Sequence, residues 1–152
     1  MSDAATALKL IALDAEDLAI ISTHVQDAFV RRDEIIYQPE RNRFALGAKR
    51  YDWSAYVAGR KERVGAVLRF DRVLKVAQIG LADLKPEATL NLLAVSFAEG
   101  DSPSGTVTLT FSGGAAVRLE VECLEVELRD IGPRETVYMC PGHAAVAEPE
   151  AG

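Results

Sequence analysis

The sequence predicts an α+β fold, with one N-terminal helix packed on a strongly bent, mainly antiparallel sheet of about six or seven strands. Three observations lead there. Helical periodicity occurs once, between residues 14 and 28, and strand-like alternation fills most of the chain after it. Residues 105–130, GTVTLTFSGGAAVRLEVECLEVELRD, read as a long β-hairpin. The apolar parity also slips inside two of the strand-like runs, as the extra residue of a β-bulge produces where a sheet bends.

Taken in order, Leu8 to Leu13 forms a first strand and Asp14 an N-cap, with Asp17 three residues later as a weaker capping box. Glu16 and Asp17 suit the positive end of that helix, and Leu18, Ile21, Val25 and Ala28 fall on one face of it. A strand near 29–37 follows, then a turn at Pro39-Glu40-Arg41-Asn42 and a strand near 43–53. Phe44, Leu46 and Ala48 point one way there, which sets Arg43, Lys49, Tyr51 and Trp53 on the other face. Residues 54–63 read as a polar loop. The next strand runs from Arg63 to Ile79, with Val64, Ala66, Leu68 and Phe70 in phase and a slip at Asp71 to Val73.

A strand near 89–98 leads through EGDSPSG into the hairpin, where Val107, Leu109 and Phe111 alternate with threonines and Ser112-Gly113-Gly114 makes the turn. Beyond it, Val117, Leu119, Val121 and Cys123 give way to Leu124, Val126 and Leu128, a parity switch that places a second bulge near Cys123. The runs from Leu68 and from Val117 also echo one another, entering as apolar-Arg-apolar-acid and slipping at the same point, which suggests equivalent half-sheets. Meander order points to a barrel-like curl of the pleckstrin-homology-like kind, although no C-terminal helix is read.

At 152 residues, with 49% apolar and 26% charged residues, the chain has the size and composition of one ordinary globular domain. We expect that domain over 1–143 and a disordered tail over 144–152, AAVAEPEAG, which has nothing to bury. No secretory leader and no apolar run of membrane-spanning length is read, so a cytoplasmic location without membrane contact is expected. Cys123 and Cys140 stand far apart and outside any CxxC spacing, as free thiols would.

The formal charge of −6 hides an asymmetry. Residues 31–72 hold eleven Arg/Lys against six Asp/Glu, or +5, which leaves −11 for the rest of the chain. These charges either keep strand faces wet or form a patch for an anionic partner. On the second reading the binding residues are Arg41, Arg43, Lys49, Arg50, Tyr51, Trp53, Arg60, Lys61 and Arg63. With Tyr56 they would also suit single-stranded nucleic acid, aromatic rings stacking on bases while arginines meet phosphates. A pI near 5.0 opposes that alternative.

Catalytic and cofactor motifs are absent: no GxGxxG, GxxxxGK[ST], HExxH or GxSxG occurs, and no cofactor is implied. His24 sits beside the apolar stripe of the helix as a hydrogen-bonded boundary residue. Cys140-Pro141-Gly142-His143 is the one local pair with ligand chemistry. Cys123 and His24 would have to complete a zinc shell with it, and zinc sites ordinarily draw on paired short spacings. Glu120, Glu122, Glu125 and Glu127 read as solvating, edge-protecting charges.

The runs LKLIALDAEDLAIISTHVQDA, RFALGAKRYDW, LRFDRVLKV, LNLLAVSF and GTVTLTFSGGAAVRLEVECLEVELRDIG, over about residues 8 to 134, resemble an alphaproteobacterial domain-of-unknown-function family, number 2948. The resemblance implies a small bacterial cytoplasmic protein and brings no activity, cofactor or site residue. A non-enzymatic binding or adaptor module is therefore the expected function. Single-stranded nucleic-acid binding through 41–63, or an enzyme or ligand carrier with a pocket in the curled sheet, are the alternatives. An uncovered sheet edge makes a homodimer reasonable.

Overall fold

The computed structural model describes residues 7–136. The predicted elements at 140, 143 and 144–152 lie outside the described residues. Among the described residues ten strands are present: β1 Lys9–Ala12, β2 Ala28–Arg31, β3 Ile35–Gln38, β4 Arg43–Tyr51, β5 Glu62–Phe70, β6 Val73–Ile79, β7 Thr89–Glu99, β8 Gly105–Phe111, β9 Ala116–Val121 and β10 Val126–Thr136. Helix α1 is Ala15–His24 and α2 is Trp53–Val57. The sheet is larger than six or seven strands because three of the predicted runs, 29–37, 63–79 and 116–130, each divide in two.

All pairings are antiparallel, in the order β1-β10-β5-β4-β2-β7-β8-β9-β6, with β3 beside the first residues of β4 on the edge it shares with β2. The path ends at β1 and β6, so the sheet is not closed into a barrel. The two parity slips are corrected in the same way. Each is a corner at which the chain leaves one half of the sheet for the other, and a register shift lies beside the first, where Glu120 faces Lys75 and Val121 faces Val73. At Asp71-Arg72 the backbone turns with Arg72 at φ 62°, and β5, beside β4 and β10, gives way to β6, beside β9. At 122–125 strand β9, beside β8 and β6, gives way to β10, beside β5 and β1. The corners lie against each other, with the Asp71 N–H donating to the Glu125 carbonyl at 3.0 Å and the Glu122 N–H to the Arg72 carbonyl at 2.9 Å. The echo between the runs from Leu68 and Val117 thus has a topological counterpart: β4-β5-corner-β6 and β8-β9-corner-β10 are exchanged when the strand order is read from the opposite side.

Asp14 caps α1 as its sequence predicts, its Oδ1 accepting the Asp17 N–H at 2.8 Å. Leu18, Ile21 and Val25 are buried, but the helix stops at His24, so Ala28 reaches the core from β2 instead. Helix α1 lies against β1 and β7, and the Ser22 hydroxyl accepts the Val95 N–H at 3.0 Å. The core then draws equally on both halves of the sheet, with Phe44, Leu68, Phe70 and Leu128 from one and Leu92, Leu109, Phe111 and Leu119 from the other. Just past β6, Leu81 is buried in the core and its carbonyl accepts Arg32 Nε at 3.0 Å.

Candidate binding cleft beside a buried ion pair

The inward row of β4 continues Phe44, Leu46 and Ala48 with Arg50, and that of β10 continues Val126 and Leu128 with Asp130. Period-two geometry therefore carries one charge of each sign into the interior, where they meet. Arg50 Nε lies 2.9 Å from Asp130 Oδ1 and Arg50 Nη2 2.8 Å from Oδ2, with side chains only 4% and 3% exposed. Asp130 Oδ2 also accepts the Leu8 N–H at 2.9 Å, so the carboxylate ties β4, β10 and the entry to β1 together. Such bidentate, doubly satisfied geometry is what a buried pair needs to offset desolvation.

Just past Arg50, strand β4 ends and Asp52 opens α2 by accepting the Ala55 N–H at 3.0 Å. This short helix replaces part of the loop predicted at 54–63, and the Asp52-to-Ala55 spacing is the same signature that caps α1. The Arg134 guanidinium bonds Asp52 and lies 3.3 Å from Glu62 Oε1. Burial raises the Asp52 carboxyl, but the Ala55 N–H, Arg134 and Arg50 outweigh it and hold it below the ordinary carboxylate range. Burial likewise lowers Arg134, and Asp52, Glu62 and Asp130 more than reverse that.

Trp53 begins α2 rather than ending β4. Its ring lies 5.9 Å from Tyr51 at 42° and 5.9 Å from Tyr56 at 84°, geometries that favour aromatic pairs. Thr23, His24, Asp52, Trp53 and Val57 line a cleft of about 290 Å³ at the C-terminal end of α1, with Val57 86% exposed. His24 Nδ1 is 3.0 Å from the Ile20 carbonyl, as expected for a boundary histidine. Cys123 lines a separate cleft with Leu13 to Glu16, at the opposite end of α1, so the structure does not bring it to His24 as a zinc shell would require. Among the described residues no three His, Cys, Asp or Glu side chains gather to hold a metal.

The predicted basic residues are mostly answered by acids of the chain itself. Arg43 and Arg69 share Asp71 at 2.9 and 3.0 Å, Arg69 reaches Glu127 at 3.1 Å, and Arg129 meets the same carboxylate at 2.8 Å. Arg63 and Lys49 share Glu135 at 3.0 and 3.4 Å, and these two bonds hold its carboxyl below the usual range. Arg60 pairs with Glu62 at 3.2 Å, and Arg72 with Glu122 and Glu125. Arg50 is interior and belongs to no surface patch. Among the described residues Arg41 and Lys61 have no ion-pair partner. The +5 of residues 31–72 is thus met largely by carboxylates of 122–135, side by side in the sheet. Glu127, read from the sequence as a solvating charge, is only 14% exposed and bridges two arginines.

With this geometry in hand, comparison with known proteins places the chain. The family described as "Protein of unknown function (DUF2948)" matches residues 8–143. The chain belongs to this family. No curated protein and no solved structure matches it. For this DUF2948 protein the match extends through β1, both corners and β10, so the buried pair and the Trp53 cleft lie within the family's own span. Among the described residues no helix is long and apolar enough to cross a membrane.

Proposed function

We propose that this protein is a non-enzymatic binding module whose ligand-facing surface is the cleft at Trp53. The observation that carries the reading is the cluster of three aromatic rings beside an open cleft with a protruding Val57. Solvent-facing aromatic and apolar groups next to a few polar ones are the usual makeup of recognition pockets. Of the two titratable groups that line the cleft, Asp52 is engaged by the Ala55 N–H and Arg134 and His24 holds its Nδ1 3.0 Å from the Ile20 carbonyl, so the cleft offers contact and shape more than proton transfer. At about 290 Å³ it fits a ring or one apolar side chain of a partner.

Trp53 is the single tryptophan of the chain, so its emission reports occupancy directly. Titration with a set of aromatic fragments is expected to shift that emission saturably, and Val57→Ser with Tyr56→Ala to weaken the response several-fold. A flat response across the set overturns the reading. Single-stranded nucleic acid is the competing ligand. It would require Arg43, Lys49 and Arg63 to exchange Asp71 and Glu135 for phosphates, and a short oligonucleotide titrated at low and high salt separates the two.

A further inference from the structure

We propose that β6 is the seam of a homodimer, two copies pairing antiparallel along this strand about a two-fold axis at Ala77. Among the described residues, strand β6 ends the sheet and is paired on one side only, with β9. Alternate residues of an end strand turn N–H and C=O groups outward, and among the described residues 74–79 make no backbone bond on that side. The edge is long and poorly protected: seven residues, no proline, Lys75 as its single charge, and Leu74 and Ile79 57% and 64% exposed. The other end of the sheet differs. Strand β1 has four residues, carries Lys9 and runs straight into α1, which packs against it.

The occupant is a second copy because the edge is complementary to itself. A two-fold at Ala77 sets Lys75 of one copy opposite Ile79 of the other, where the lysine stem covers the isoleucine and no like charges face each other. A register centred on Lys75 would oppose two ammonium groups. On the outer face Ala77, Ile79, Thr108, Ala116 and Arg118 line a groove of about 220 Å³, and the same axis joins the two grooves into one surface. Each interface is isologous, as a closed dimer requires.

Sedimentation velocity over a concentration series tests this, since a seven-residue edge gives a concentration-dependent association. The untagged full chain is expected to shift from one 16.4 kDa unit to twice that mass as concentration rises. Ile79→Lys, which sets an ammonium opposite Lys75 of the second copy, should abolish the shift while leaving the thermal midpoint of the dilute, monomeric protein unchanged, and hydrogen exchange should slow with concentration in β6 alone. A monomer at every concentration overturns the proposal. So does a dimer that survives both Ile79→Lys and Ala77→Lys, or protection that appears at another strand or at the Trp53 cleft.

Discussion

The two halves of the sheet share one core and treat charge in opposite ways. On the outer face of β4, β5 and β10, arginines and carboxylates alternate from strand to strand, Arg43 to Asp71 to Arg69 to Glu127 to Arg129. On the outer face of β6, β8 and β9, rows such as Thr108-Arg118-Ala77 and Thr110-Ala116-Ile79 present hydroxyls, small side chains and few charges. The described ion pairs of that half are confined to Arg72 at the corner. Half of the molecule is therefore electrostatically self-satisfied, and the other half keeps a bare edge and face that an associating surface can use.

Removing Asp130 should break this contrast most severely. Asp130→Ala leaves Arg50 charged and buried, an expected cost of about 3–5 kcal/mol in urea unfolding, whereas Glu120→Ala across the sheet should stay within about 0.5 kcal/mol. Replacing both partners, Arg50→Met with Asp130→Leu, should recover most of the loss. Equal losses at 130 and 120 would erase the distinction between the halves. Acid sharpens it next. Because Asp52 is held below its ordinary value, its contribution is fully present above about pH 4 and is lost as pH falls through the depressed value. Asp52→Asn keeps an acceptor for the Ala55 N–H and should flatten the acid limb of the stability curve. The smallest effect belongs to Asp71→Ala on the outer face, about 0.5–1 kcal/mol and shrinking with added salt, because its partners are partly solvated.

Much of this was legible in the chain and some was not, for local reasons. The Asp14 cap, the Gly113-Gly114 turn and the inward rows of β4 and β5 follow from short-range rules, so the sequence predicts them well. Corners imitate bulges, because either one shifts apolar parity by a residue, and only the pairing partners tell them apart. The short α2 was read as loop since five residues give no periodicity, although the Asp52-to-Ala55 spacing signals it. At the site, Tyr51, Trp53 and Tyr56 do come together, while the basic residues of 41–63 were read without their partners. The partners of Lys49, Arg50 and Arg63 lie 72 to 86 positions away, at Glu135 and Asp130, whereas Arg43 and Arg60 meet Asp71 and Glu62 nearby. Arg50 and Asp130 each sit on an apolar parity row, and two such misplaced charges of opposite sign are the signal that would have paired them.

The position of β10 has a bearing on how the chain is made. It lies between β1 and β5, so the earliest described strand has the latest as its neighbour. On the ribosome, residues 9–12 therefore wait without a partner until 126–129 emerge, and α1 waits with them for half of its support. Structure cannot accumulate from the N-terminus outward; the β4-β5 hairpin forms locally, and the ends are joined last. A translational pause or a premature stop before Val126 leaves a nascent chain with an exposed edge along β5 and an unseated helix, a species for chaperones and proteases to recognise.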